Sequence, residues 1–219
     1  MPSYTEENYL KAIYKLAEAQ PGQEVSTNSV AEALQTRAAS VTDMLRRLGE
    51  KGLLHYTRYR GVTLTAEGRR LALLTIRKHR LWEVFLVQQL GFNWDEVHDV
   101  AEQMEHIDSD LLIRRLDEFL GHPQFDPHGD PIPTAEGVLH RPQHRLLADL
   151  RPGDQGVVVA VKNTSPAFLQ YLDKVGIKLG THLEVIDKIT FDNSLEIRII
   201  SSKEYLVSAE VSRNIFVTD

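Results

Sequence analysis

The 219-residue chain is predicted to be mainly α-helical with a small β domain, in the order winged helix-turn-helix, helical middle and C-terminal β-barrel. Three observations predict that order. Apolar residues follow the 3.6-residue helical period through most of the first 120 positions. A stretch holding Pro123, Pro127, Pro131, Pro133 and Pro142 then interrupts the pattern, which is the composition of a linker. Beyond it the apolar residues come in short runs rich in β-branched side chains. The predicted domains are residues 1–73, residues 74–140 with the proline-rich linker, and residues 145–219.

Ser3-x-x-Glu6 is a capping-box pattern, and it opens a helix whose apolar side is Tyr9, Leu10, Ile13, Tyr14, Leu16 and Ala17, ending near Pro21-Gly22. Ser26-Thr27 can cap a short second helix carrying Val30, Ala31 and Leu34. After a break at Gln35-Thr36-Arg37 a third begins, carrying Val41, Leu45 and Leu48 and stopping at Gly52. Short helix, tight turn and longer helix is the helix-turn-helix arrangement. Residues 53–59 and 62–65, separated by a turn at Arg60-Gly61, read as the hairpin of a wing. A long helix follows from Ala66 to about Leu90. Asn93-x-x-Glu96 offers a second capping box for a helix running through His106, and Asp108 can cap a third, apolar at Leu111, Leu112, Leu116 and Phe119 and stopped by Gly121. In the last 70 or so residues, β runs are expected at 156–161, 182–189, 195–200 and 205–207, with one helical insert at 166–175; strands this short and this evenly spaced suggest a small barrel.

Composition excludes several classes of function. There is no Cys, which removes disulfides, thiolate catalysis and sulfur-ligated zinc, and fits a reducing cytoplasm. No apolar stretch approaches the ~18–20 residues of a membrane span, and the opening Met-Pro-Ser-Tyr lacks the charged and apolar regions of a signal peptide, so a soluble cytoplasmic protein is expected. The net charge of -6 conceals an asymmetry: the first 70 residues carry 10 Lys and Arg against 8 Asp and Glu, the remainder 15 against 23. Any binding of nucleic acid must therefore be local to the first segment.

Between Arg80 and Arg114 stands no Lys or Arg, yet Glu83, Asp95, Glu96, Asp99, Glu102, Glu105, Asp108 and Asp110 fall there. That repulsion needs an offset. At about 100° per residue, His98, Glu102, Glu105 and His106 share an arc of roughly 100° on one helix face, while Met104 lies opposite. Like charges at helical spacing cost roughly 0.2–0.5 kcal/mol each, and a bound divalent cation reverses the penalty. The preceding helix adds His79 and Glu83 at i, i+4, so two helices can present converging ligands. The arc exceeds one site and suggests two: His79, Glu83 and His98 in one, Glu102, Glu105 and His106 in the other, with Asp126 and His128 of the linker as further candidates for the first. Carboxylate and imidazole without thiolate suit Mn(II), Fe(II), Zn(II), Co(II) or Ni(II), unranked by ligand type alone; several oxygens in a near-octahedral site favour Mn or Fe.

A winged helix followed by Arg77-Lys78-His79-Arg80-Leu81-x-Glu83, Val97-His98-Asp99-x-x-Glu102-x-x-Glu105-His106 and Asp130-Pro131-Ile132-Pro133 resembles the diphtheria toxin repressor and manganese transport regulator family over nearly the whole chain. The resemblance implies an SH3-like C-terminal domain and a homodimeric repressor that binds a palindromic operator when loaded with Mn(II) or Fe(II), controlling metal-uptake genes. It also implies that His79, Glu83 and His98 form an ancillary site and that Glu102, Glu105 and His106 form the regulatory one. Glu102, where iron-responding members tend to have Cys, leans the expectation towards manganese, with an Fe(II)-responsive regulator as the alternative. Asp126-Pro127-His128-Gly129 resembles the linker ligands of longer manganese regulators, in which Cys is common at the first position. Asn8 stands where the family has Asp or Met, and Lys11 near it supplies no ligand. Ser165 and Phe168 fall where barrel ligands are expected, with Gln170 and Asp173 as substitutes.

On the third helix, Arg37, Ala39, Ser40 and Asp43 project from the end that would enter a major groove and are expected to read bases; Arg47, Arg58 and Arg60 are expected on phosphates. An ion joining the first helix to the central helices would fix the spacing of two such reading helices in a dimer. The rival readings are a helical metalloenzyme and a winged-helix regulator of an organic ligand. The first wants a second Glu-x-x-His pair or a nucleophile, and neither is evident. No organic cofactor and no membrane partner are expected.

Overall fold

A computed structural model describes residues 2–57, 60–199 and 203–218. They form two compact units, one of residues 1–82, 101–119 and 132–140, the other of residues 83–100, 120–131 and 141–219. The long helix α4 (Ala66–Leu90) and α5 (Val97–Met104) each contribute to both.

In the first unit, α1 (Tyr4–Ala19) starts with the expected capping box: Ser3 Oγ accepts from the Glu6 amide and the Glu6 carboxylate from the Ser3 amide. Helix α2 (Thr27–Ala33) is capped by Ser26, whose Oγ accepts from the Ser29 amide at 3.0 Å. Gln35 then takes a left-handed φ of 47° that breaks the helix, and α3 (Ala38–Glu50) begins from an extended Arg37. Strands β1 (Leu54–Thr57) and β2 (Gly61–Leu64) pair antiparallel from Leu54 opposite Leu64 to Thr57 opposite Gly61. They are the wing; Arg58, assigned to a phosphate contact, lies outside the described residues. The core joins these elements to α4 through Leu10, Ile13, Val30, Val41, Leu45, Leu48, Val62 and Ala72, nearly all wholly buried. Burial of this kind stabilises by about 25 cal/mol per Å² of apolar surface.

Two expectations for the central helices need correction. Helix α5 is shorter than the pattern suggested: the Glu96 carboxylate does accept from the Asn93 amide at 3.0 Å, but this closes a turn and the helix proper starts at Val97. It ends at Met104, so Glu105 and His106 sit in the turn beyond it. Helix α6 (Asp110–Phe119) is capped by Ser109, whose Oγ accepts from the Leu112 amide at 3.2 Å, and not by Asp108. Of its apolar residues only Leu116 is buried; Leu111 and Phe119 stay 56% and 64% exposed. Arg77 ties α4 to α6 through Asp117 at 2.8 Å.

The second unit is built on a six-stranded antiparallel sheet in the order β3-β8-β4-β5-β6-β7. Its strands are β3 (Arg145–Leu146), β4 (Gln155–Val161), β5 (His182–Lys188), β6 (Leu195–Ile199), β7 (Glu204–Val207) and β8 (Ile215–Thr218). Helix α7 (Pro166–Val175) spans the expected insert, starting with proline in its first turn and ending at the left-handed Gly176; a short helix α8 (Ala209–Ser212) precedes β8. Neither β3 nor β8 was anticipated. Register shifts between Val158 and Ala160 and between Val185 and Asp187 bend the two longest strands. Leu147, Leu169, Leu172, Leu183, Val185, Leu195, Ile197 and Ile215 fill the core.

Candidate metal centres and nucleic-acid interface

Two acid and imidazole clusters occupy the units separately. The first gathers on Lys11. This residue falls on the buried face of α1 beside Leu10, Ile13 and Tyr14, which carry it inward, and it is only 4% exposed. Its Nζ lies 2.5 Å from Glu105 Oε2, 2.7 Å from Glu102 Oε2 and 3.5 Å from His79 Nδ1. His79 Nδ1 is itself 2.6 Å from Glu105 Oε2. Glu105 is wholly buried. Burial pushes the Glu102 carboxyl up, but the Lys11 ammonium, aided by His79 and Lys15, outweighs this and holds it below the usual carboxylate range. The acid repulsion that pointed to a bound cation is thus offset, on this side, by an ammonium of the chain itself. Lys11 was expected to supply no ligand, and its role as the ammonium between these acids was not expected.

Beside this group the donors are arranged differently. His106 Nδ1 lies 2.6 Å from Glu7 Oε2, and the other Glu7 oxygen accepts from Lys78 Nζ at 3.1 Å. A carboxylate on Nδ1 selects the tautomer that leaves Nε2 as a lone pair, the orientation seen for metal-binding imidazoles. His106 Nε2, Glu105 Oε1 and Asn8 Oδ1 are all buried and without a hydrogen-bond partner among the described residues. His106 Nε2 and Glu105 Oε1 are 3.5 Å apart. Leaving one such atom unsatisfied costs about 1–3 kcal/mol, and the three are donor atoms that could hold a cation. Glu7 went unrecognised because a glutamate in the first turn of a helix reads as capping and dipole compensation.

The second cluster is Glu83, Asp126 and His128, each nearly fully buried, with one ligand atom apiece within 4.8 Å of the others. His128 Nδ1 faces Glu83 Oε2 at 3.8 Å and Asp126 Oδ1 at 3.9 Å. His128 Nε2 donates to the Trp94 carbonyl at 2.8 Å, with the Trp94 ring stacked on the imidazole. Asp126 Oδ1 accepts from the His128 and Asp130 amides at 2.8 and 3.0 Å, which winds the linker into a turn. Burial opposes the imidazolium, but Glu83 and Asp126, with the Trp94 carbonyl, prevail and push the His128 pKa up to about 9. His98 Nδ1 lies 3.5 Å from Glu83 Oε1 at the exposed edge.

The helix face is divided between several partners. His98 turns to Glu83, Glu102 and Glu105 to Lys11, and His106 to Glu7. His79, expected in the ancillary site, directs Nδ1 to Glu105. The barrel residues named as substitutes are engaged elsewhere: Gln170 Nε2 donates to Asp95 at 2.8 Å, and Asp173 accepts from the Trp94 indole at 3.1 Å.

Comparison with known proteins bears directly on these clusters. Residues 1–62 match the family described as iron dependent repressor, N-terminal DNA binding domain; residues 65–134 match its metal binding and dimerisation domain; residues 145–219 match the FeoA domain. The diphtheria toxin repressor of Corynebacterium glutamicum is 30% identical over 94% of this chain and 96% of its own length. The chain belongs to the diphtheria toxin repressor family. That is a family of DNA-binding transcriptional repressors and not of enzymes. The iron-dependent repressor IdeR of Mycobacterium tuberculosis is 40% identical over 59% of this chain and 55% of its own. A solved manganese-dependent transcriptional repressor in complex with manganese is 40% identical, covering 97% of this chain and 98% of its own, with a TM-score of 0.86.

Within the region matching the family's DNA-binding domain, α3 buries Val41, Leu45 and Leu48 and leaves Arg37, Ala39, Ser40, Asp43 and Arg47 exposed. Arg60, at the tip of the wing, is exposed as well. Arg46 was overlooked; it is exposed on the same helix, 3.8 Å from Asp43. Among the described residues no helix is long and apolar enough to cross a membrane.

Proposed function

We propose that this member of the diphtheria toxin repressor family is a cytoplasmic, Mn(II)-responsive repressor that binds a palindromic operator as a homodimer and controls metal-uptake genes. One observation carries the reading: Asn8 Oδ1, Glu105 Oε1 and His106 Nε2 are buried lone pairs without partners, and Glu7 holds His106 in the tautomer a metal requires. Asn8, Glu102, Glu105 and His106 would hold the regulatory ion, and Glu83, Asp126 and His128, with His98 at the edge and His79 one turn earlier on α4, a second. When bound, the ion would supply the positive charge that these donors call for. The oxygen-rich donor set and the absence of any thiolate favour Mn(II) over softer metals; Fe(II), to which the name of the mycobacterial relative points, is the alternative within the same family.

The remaining work falls to the chain. Asn8 lies on the helix whose core residues Leu10 and Ile13 pack with Val41 and Leu45 of α3, so fixing α1 fixes the reading helix. Arg37, Ala39, Ser40 and Asp43 would meet base edges, and Arg47 and Arg60 phosphates. The exposed Leu111, Leu112 and Phe119 of α6 suit a dimer face. A coupling of about 1–3 kcal/mol between ion and operator changes DNA affinity roughly 5- to 150-fold. The test is a mobility shift on the promoter of a metal transporter with Mn(II), Fe(II), Zn(II) or chelator. Glu105→Gln and His106→Ala should abolish the metal-dependent shift while circular dichroism stays unchanged. Equal affinity of stripped and loaded protein would overturn the reading, and a response to Fe(II) alone would overturn the choice of manganese.

A further inference from the structure

The first turn of α1 holds two acids in succession, Glu6 and Glu7, whose side chains lie about 100° apart around the axis. Glu7 stands one turn before Lys11 and meets His106 and Lys78. Glu6 stands one turn before Leu10, on the stripe that packs with Val41 and Leu45 of α3. An acid in the first turn of a helix ordinarily points into water and offsets the dipole. Glu6 is only 1% exposed. Its Oε1 and Oε2 accept from Lys51 Nζ at 2.7 and 2.9 Å, and Oε2 accepts from the Ser3 amide as well. Lys51 closes the last turn of α3: its amide donates to the Arg47 carbonyl at 3.1 Å, and the left-handed Gly52 follows. We infer, resting on the metal-responsive reading, that the Glu6–Lys51 pair is the contact through which α1, once fixed by an ion, holds the reading helix, and that Glu6 is a positioning residue for operator binding.

Apolar packing alone does not supply this. Leu10, Ile13, Val41 and Leu45 bring α1 and α3 together, but burial of apolar surface has no direction, and packed helices held by it alone can slide past one another. A charge-assisted hydrogen bond fixes both distance and angle. Here it joins the end of α3 to the residue immediately before the one that orients His106. Three consecutive side chains divide the work. Glu6 meets α3, Glu7 meets His106 and α4, and Asn8 keeps a buried Oδ1 without a partner among the described residues. A change in the position of α1 is thus passed to α3 without a flexible link. Glutamine in place of Glu6 keeps the size of the side chain and the capping box, whose third position takes Glu or Gln alike, and removes only the charge that grips Lys51.

The measured quantity is the ratio of DNA affinities with Mn(II) and with chelator, on a duplex selected from a random library by Mn(II)-loaded wild type. Calorimetry gives the Mn(II) affinity of the free protein alongside. Glu6→Gln should lower the ratio about tenfold, while the free protein binds Mn(II) as wild type does. Lys51→Arg, which keeps a cation, should retain the ratio. Lys51→Gln added to Glu6→Gln should lower it no further, because the two residues act as one contact. If Glu6→Gln does not fold, Lys51→Gln alone carries the test. A fall in affinity for that variant that is equal with and without metal would mark a lost phosphate contact and overturn the inference. An unchanged ratio in Glu6→Gln would overturn it as well, and so would a loss of Mn(II) affinity in the free protein as large as the fall in the ratio, since Glu6 would then act on the ion and not on α3. Failure of Mn(II)-loaded wild type to select any sequence, or a wild-type ratio of one, would overturn the metal-responsive reading and this inference with it.

Discussion

The two clusters solve one problem by different means. Each buries carboxylates, and a buried carboxylate must be neutralised or satisfied. Around Glu105 the neutralising charge is Lys11, a side chain anchored in a helix core. Around Glu83 and Asp126 it is the proton on His128, which those acids themselves retain. Imidazole orientation differs in the same way. His106 is set by a side chain, Glu7, whereas His128 is set by a backbone carbonyl, that of Trp94. A cluster neutralised by the chain responds to substitution, and one neutralised by a proton responds to pH.

The largest effect is expected at Gly129, which closes the turn holding Asp126 and His128. Its φ is +88°, and an added Cβ would stand 2.1 Å from the Val159 carbonyl oxygen and 2.5 Å from Ala160 Cα. Both obstacles are backbone, so neither can swing aside. Gly129→Ala should cost about 3 kcal/mol, seen as a lower melting temperature. It should remove one bound Mn(II) per subunit while the ion at Glu105 and His106 remains. Loss of both ions would show that the clusters are not separable.

Next comes Glu7→Gln. The amide keeps the size of the carboxylate but loses its charge, so it orients and polarises His106 less well. Replacing an outer carboxylate of this kind typically lowers metal affinity 10- to 100-fold. Metal titration should show that loss at one site and none at the other, because His128 is oriented by the Trp94 carbonyl and not by Glu7. An unchanged affinity at both would mean that the Glu7 contact is incidental to binding.

Why these features differ in legibility follows from the range of the interactions. Local chemistry was readable: the Ser3 box, the Ser26 cap, the stop at Gly52 and both ends of α4 and α7 follow from caps, glycines and prolines within a turn or two. Asp126 and His128 could be named as ligand-type residues close together in the linker, in a segment that resembles the linker ligands of longer manganese regulators. The distant partners of the α5 face, Lys11 and Glu7, were not readable, since a helical wheel orders side chains about an axis but says nothing of which distant groups meet them. Lys11 lies 91 and 94 residues from its two carboxylate partners. On the sequence it stands four residues after Glu7, the spacing of an ordinary surface ion pair. The one local hint was its place among Leu10, Ile13 and Tyr14, where a charged side chain must find partners or leave the core. Strand β3 has only two residues, too few for any alternation to register, and exists because β8 pairs with it.

The pH dependence should separate the clusters by the smallest and most specific effect. The His128 pKa is raised from 6.5 to about 9. In metal-free protein a raised imidazole pKa stabilises fully below the unfolded value, and that stabilisation is lost as pH rises through about 9. If His128 holds an ion, Nδ1 would have to give up its proton, because Nε2 is committed to Trp94. Affinity at this site should therefore rise about tenfold per pH unit below about 9 and level off above it, with one proton released per ion on the rising limb. Calorimetry at several pH values, in buffers of differing ionisation enthalpy, counts that proton directly. Glu83→Gln removes the carboxylate that contributes most to the shift; it should bring the His128 pKa down and shorten the pH range over which affinity climbs. A plateau that begins at the same pH in wild type and Glu83→Gln would mean that the proton comes from another group, and that the second cluster is not held by charge in the way its geometry requires.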